Sequence, residues 1–329
     1  MLFVSSSRGS YLPVVLSFVF LLACAGVFVV VATGSLPGMS GPGSAQESPS
    51  EDTAELTAKA FSSYSWEELG TIADIIESAD SEEEGLAVAR EFGIVDDDGN
   101  VKECVRQVVF TDGSVGTCRV VGVLADEKAD GTGKAALTFA ITGLPKRAMN
   151  PTATCEGGWE SSEGRSWLQD EARSLLPADL SPRLANVLKS ANNAGIASDS
   201  SSVTQTSDAL WLFSASEIYG ELTWFMQEYG DDPIYNTSYT DFGPYDQLIS
   251  SEGSQYRYFA QNGVHDRDSY AAVGDLLGSA DECFWLRTPY PLRFTDADDG
   301  MFFQIMGSGY PSSAVAASQL NGILAGFCL

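Results

Sequence analysis

His265 is the only histidine in 329 residues, so any Ser-His-Asp or Cys-His arrangement must be built on it. It stands in a polar stretch beside Asp266 and Asp268, and the sequence holds no G-x-S-x-G elbow. A solvated loop histidine is the expectation. Zinc sites draw on clustered Cys and His ligands. Here Cys104, Cys118, Cys155, Cys283 and Cys328 are scattered, and His265 stands alone. Asp296, Asp298 and Asp299 supply the oxygen ligands that calcium takes, yet without the spacing of an EF-hand loop. The 45 acids always offer some pair for glycoside hydrolysis, but nothing nominates one. The stretch from Ala129 to Ala135 brushes against a phosphate loop. It lacks the first glycine, and Ala135 stands where a Ser or Thr would hold magnesium. The residues thus nominate no catalytic set, no metal site and no cofactor, with calcium at the aspartates as the alternative.

The charge is as informative as the side chains. The net charge is -27, and residues 1–46 carry one base, Arg8, and no acid. The acid therefore lies beyond them, in a part that repels nucleic acid phosphates and anionic lipid heads. From Leu12 to Ala32, 21 residues carry no formal charge, and only Pro13, Ser17 and Gly26 interrupt the apolar run. As a helix this run spans roughly the 30 Å hydrocarbon core. Residues 1–33 read as a transmembrane anchor or a signal segment, with Arg8 keeping the N-terminus inside. Cleavage near Ala32 or after Ala45 would make the protein secreted instead. A lipoprotein box at Leu21–Cys24 is countered by the apolar residues that follow Cys24. Residues 34–55 read as a flexible acidic Gly/Ser/Pro linker. The expected location is the cell membrane, single-pass, with the C-terminal domain outside.

The elements behind the linker begin with two helices in residues 56–100. Ser65-Trp66-Glu67-Glu68 and Ser81-Glu82-Glu83-Glu84 both read as capping boxes, and Gly93 reads as a stop. The period then changes to two. Cys104 to Phe110 and Thr117 to Leu124 are expected as strands of a hairpin turning at Thr111–Ser114, and Leu137 to Ile141 as a further strand. In an oxidising compartment Cys104 and Cys118 could pair across that hairpin. A two-residue turn at Asp112-Gly113 would set Cys118 opposite Gln107, so the disulfide needs a shifted loop. Trp159, Trp167, Trp211 and Trp285 fall in patterns that mark core. Arg165 and Arg287 are expected to be semi-buried, each held by a carboxylate such as Glu163 or Asp208.

Longer strings carry a resemblance. Gly157-Gly158-Trp159-Glu160-Ser161-Ser162-Glu163-Gly164-Arg165-Ser166-Trp167-Leu168 resembles the "GGWExSExRxWL" signature of a bacterial family, domain of unknown function 6273. Ser216-Glu217-Ile218-Tyr219-Gly220, Glu252-Gly253-Ser254-Gln255-Tyr256, Phe284-Trp285-Leu286-Arg287-Thr288-Pro289 and Gly326-Phe327-Cys328-Leu329 follow in the family's order. The resemblance covers about residues 60–329, and residues 119–150 look like gut actinobacterial members. It implies an α+β, C-type-lectin-like domain over residues 101–329, with the helical pair before it. It also implies a ligand face between Pro289 and Gln319, where Tyr290, Arg293, Asp296, Asp298, Gln304, Tyr310 and Ser312 would serve. This sequence departs from its relatives in that stretch. The expected function is an anchored, non-catalytic surface protein that recognises a glycan or protein ligand. A cell-wall or glycan hydrolase and a structural envelope component are the alternatives.

Overall fold

The computed structural model describes residues 56–230, 240–292 and 300–329, without the side chains of residues 312 and 313. The apolar run at 12–32 and the linker lie outside them. Among the described residues no helix is long and apolar enough to cross a membrane.

Helices α1 (Trp66–Glu77) and α2 (Glu82–Glu91) begin where serines satisfy orphan backbone donors. Ser65 accepts from the Glu68 amide while the Glu68 carboxylate accepts from the Ser65 amide, and Ser81 accepts from the Glu84 amide. Beyond α2 the chain turns at Gly93, whose φ of 74° suits a residue without Cβ.

Strands β1 (Val105–Val109) and β2 (Val115–Val123) form the expected hairpin, with a different register. The Phe110 amide donates to Ser114 O, which leaves three residues in the loop, and Gly113 takes φ 85°. One extra loop residue moves every pairing by one. Cys118 now faces Arg106, and Val120 donates to Cys104 O. The two cysteines become diagonal neighbours, about 7–8 Å apart in such a ladder, beyond the about 4.4–6.8 Å a disulfide spans. The expected Cys104–Cys118 bond is therefore not formed; both are buried free thiols. Burial pushes the Cys104 thiol up to about 12, and Cys118 upward as well.

Strand β3 (Leu137–Arg147) extends past the expected end at Ile141. A helical segment follows, α3 (Glu163–Trp167), a π-turn at Leu168–Ala172, and α4 (Arg173–Leu175). Then come β4 (Val187–Asn192), β5 (Val203–Asp208), β6 (Trp211–Leu212) and α5 (Ala215–Tyr219). Helices α6 (Gly243–Ser250), α7 (Arg257–Gln261) and α8 (Ala271–Leu277) precede β7 (Cys283–Pro289), β8 (Met301–Met306), β9 (Pro311–Ala316) and β10 (Asn321–Cys328). The fold is mixed α+β. The main sheet runs β1-β2-β3-β10-β7-β8-β9, with β6 also on β10, while β4 and β5 form a separate ribbon. Every pairing is antiparallel except β10 with β7.

Strand alternation splits the interior into two cores on opposite faces of this sheet. Val120, Ile141, Trp285, Ile323 and Phe327 belong to one, with the apolar faces of α1 and α2. Val121, Ala140, Leu286, Phe303 and Leu324 belong to the other, with α5, α7 and α8. Both faces of β10 are covered, so all eight of its residues are buried. The helical pair is thus part of the domain's own packing; Trp66 lies edge-on to Phe139 and Phe327. At Gly326 a Cβ would stand 2.5 Å from the Trp211 indole, so only glycine lets β6 approach there.

Candidate functional site

Among the residues expected to form a ligand face, the three whose side chains are described, Tyr290, Gln304 and Tyr310, do not converge. Tyr290 is 7% exposed; its ring packs on Phe225 and Phe303, and its hydroxyl lies 3.0 Å from that of Tyr229. Gln304 is 9% exposed, and its Oε1 accepts from Asn321 Nδ2 at 2.9 Å. Tyr310 stands against Tyr270 beyond the β8–β9 turn, whereas Tyr290 pairs with Met301 at the other end of β8. A six-residue strand of about 17–20 Å separates them. Ser312 sits on β9, and its side chain is outside the description. Arg293, Asp296 and Asp298 lie outside the described residues, as does Asp299. His265 is exposed in a turn closed by the Ser269 carbonyl. Among the described residues no group of three or more His, Cys, Asp and Glu is placed to hold a metal ion.

The tryptophans and arginines of the signature are structural in position. Trp159 Nε1, Arg165 Nε and Thr206 Oγ1 all donate to the buried Asp208 carboxylate, at 3.0, 2.7 and 2.6 Å. Trp285 Nε1 donates to Arg147 O at 2.8 Å, and Trp211 is wholly buried. Trp167, itself 7% exposed, also lines an open cleft of about 400 Å³ at the end of β3. Pro145 and Leu175 form the apolar walls; Lys146, Arg147, Glu171 and Ser174 supply the polar rim. The Arg147 guanidinium lies 5.5 Å from the Trp167 ring centroid, a cation–π distance. Lys146 also borders a second cleft of about 340 Å³, where it pairs with Glu282 at 2.8 Å. An aromatic side chain beside cations, an acid and a hydroxyl suits a polar ligand with an apolar face.

A second cluster is closed to solvent, where the two cores meet. Lys189 projects from β4 between the rings of Trp211 and Tyr256. Its Nζ lies 2.7 Å from Asp126 Oδ1 and 2.6 Å from Glu217 Oε1. Asp126 follows β2. Glu217 sits in the capping box that starts α5, where Ser214 N donates to its Oε2 at 3.0 Å. Arg287 on β7 donates to the same carboxylate, and to the carbonyls of Ser190, Leu212 and Glu252. Glu252 accepts from Asn192 N at 2.8 Å and from the Thr288 hydroxyl.

Two cations thus face three acids. Burial alone would push the Asp126 and Glu217 carboxyls up. The neighbouring charges and hydrogen bonds, from Lys189, Thr138 and Tyr256 at Asp126 and from Arg287 and Lys189 at Glu217, hold both below the usual range. Glu252 has no such cation on its oxygens, and burial lifts it to about 7. The cluster is therefore close to neutral while Glu252 holds its proton, as a water-free interior requires.

Sequence reading reached Arg287 and Asp208 but not this constellation. Its one local signal is Lys189 within Val187-Leu188-Lys189-Ser190-Ala191, a cation at an inward strand position. Glu217 and Glu252 were read only as letters of longer strings.

A family model described as "Domain of unknown function (DUF6273)" matches residues 135–329. No curated protein and no solved structure matches the chain.

Proposed function

The chain belongs to the DUF6273 family, and we propose that its domain is an extracytoplasmic, non-catalytic binding module for a glycan or protein ligand. The observation that carries this reading is the open cleft lined by Trp167 and rimmed by Lys146, Arg147, Glu171 and Ser174. Carbohydrates and peptides both offer hydroxyl or amide groups beside apolar surface, which such a lining complements. The acids of the buried cluster, by contrast, are enclosed and held by their own partners, so they do not stand open to a sugar. A C-type-lectin-like architecture is supported by β3 and β10, the first and last strands of the matched span, lying side by side and antiparallel. The apolar run at 12–32 and the acidity of the remainder support placement outside a membrane, anchored by that run.

A fragment carrying residues 54–329, which form one compact unit, provides the test on a glycan array with and without calcium. The expected result is saturable binding that weakens roughly 10-fold or more in the Lys146→Ala/Glu171→Ala double variant, as loss of charge-assisted hydrogen bonds implies. Release of reducing sugar would replace this reading with a hydrolase. Absence of both binding and turnover would favour an envelope component.

A further inference from the structure

We infer that Lys189 and Asp126 condense into an intramolecular amide cross-link, with Glu217 as the proton carrier. Three observations point there. Reach comes first. Leu188 N donates to Glu127 O and Ala129 N to Asn186 O, so β4 and the segment after β2 are clamped side by side. Lys189 Nζ is thereby held 2.7 Å from Asp126 Oδ1, and such fixed proximity replaces a costly encounter. Exclusion of water comes second. Lys189, Asp126 and Glu217 are 2%, 6% and 3% exposed, and aromatic rings wall the amine. A condensation that releases water into a dry interior loses it to bulk, and the amide is shielded from hydrolysis.

The division of roles comes third. Glu217 is held ionised by Arg287 and by the Ser214 amide, which suits a base. Asp126 is bonded otherwise only by neutral groups, Thr138 Oγ1 at 2.6 Å, Tyr256 Oη at 2.8 and 3.1 Å, and Cys328 Sγ at 3.5 Å. It is therefore the acid able to take a proton. The ion pair is the resting state and the neutral pair the reactive one. A proton passes from Nζ to Asp126 Oδ1, giving an amine and a carboxylic acid. The nitrogen lone pair attacks Cγ, and the C–N bond forms. Negative charge develops on Oδ2, where the Thr138 and Tyr256 hydroxyls already donate. Glu217 takes the surplus proton from nitrogen and returns it to Oδ1, which leaves as water when the carbonyl re-forms. One positive and one negative charge vanish together, so the cluster's net charge is unchanged.

The cross-link would tie the β4–β5 ribbon to the main sheet across 63 residues of chain. Tryptic digestion of the denatured full chain, followed by mass spectrometry, tests it. The expected result is loss of cleavage after Lys189. A branched peptide should join Val120–Lys128 to the peptide that starts at Leu184, lighter by one water than the two together. Asp126→Ala should restore cleavage at Lys189 and abolish the branch. Glu217→Gln should leave most of the chain unlinked; full cross-linking in that variant would remove Glu217 from its role. A wild-type digest with cleavage at Lys189 and a free Val120–Lys128 peptide would overturn the inference. So would a lost water confined to the Leu184 peptide, which would place the amide on Glu217.

Discussion

Arg287→Met destabilises the domain by about 3–5 kcal/mol, the usual cost of breaking one side of a buried ion pair. The side chain is wholly buried, and methionine keeps its unbranched apolar stem without its donors. Four partners lose a donor at once: the Glu217 carboxylate and the carbonyls of Ser190, Leu212 and Glu252. Each orphaned buried acceptor costs about 1–3 kcal/mol where no water replaces the donor. Lys189 remains beside Glu217, but as an ammonium it already serves Asp126 and as the condensed amide it carries no charge, so it cannot restore neutrality. Domains hold only about 5–15 kcal/mol of stability, so the variant should unfold at a far lower urea concentration than wild type, or fail to accumulate. Arg165→Met is the contrast. Arg165 is also bonded to a buried carboxylate, Asp208, but it is partly exposed, and Trp159 and Thr206 remain as donors. Its loss should cost less than that of Arg287. Equal urea midpoints for Arg287→Met and wild type would refute the account of the cluster given above.

The contrast between the two arginines also shows what was legible beforehand. Arg165 and Asp208 lie in strings dense with tryptophan, where a cation needs an acid, and Asp208 was a named choice. The partners of Lys189 and Arg287 lie 28 to 97 residues away. No spacing rule reaches that far. They meet only because β10 inserts between β3 and β7, and nothing in the alternation of Asn321–Cys328 states which neighbours it takes. Alternation did mark β1, β2 and β3 as strands. It could not reveal two cores, because a strand buried on both faces reads as an unbroken apolar run. The hairpin failed on a smaller matter. One residue of loop length decides the register, and Asp112-Gly113 suits two turns. Tyr290 and Gln304, expected on a ligand face, are buried in the structure. Tyrosine and glutamine fit a wet face and a hydrogen-bonded interior equally well, and here Tyr229 and Asn321 supply the interior partners.

Glu252 makes the cluster sensitive to pH, with a sign opposite to that of its neighbours. Its ordinary value of 4.5 is raised to about 7 in the folded protein, chiefly by burial. Between those values the folded state keeps a proton that the unfolded chain has released. The stabilisation is therefore complete below about pH 4.5 and is lost as pH rises through about 7, a fall of about 3 kcal/mol at about 1.4 kcal/mol per unit. Glu217, and Asp126 wherever it is not condensed with Lys189, are held low, so their contributions are present above the usual carboxylate range and lost in acid below it. They do not slope through the same window. Asp246, which burial also raises, adds a slope of the same sign as Glu252. Glu252→Gln separates the two. Its oxygen can accept from Asn192 N, and the Thr288 hydroxyl, which already accepts from Ala215 N, can turn to accept from its amide. The variant carries no titrating proton there, while Asp246 is common to both proteins. Urea midpoints at about pH 5 and about pH 8 should fall together in wild type and much less in Glu252→Gln. The two proteins should therefore differ most at the alkaline end, where wild type must bury an ionised Glu252 that has no cation on its oxygens. Parallel pH profiles would mean that Glu252 is ionised in the folded protein throughout, and that the interior carries the extra charge.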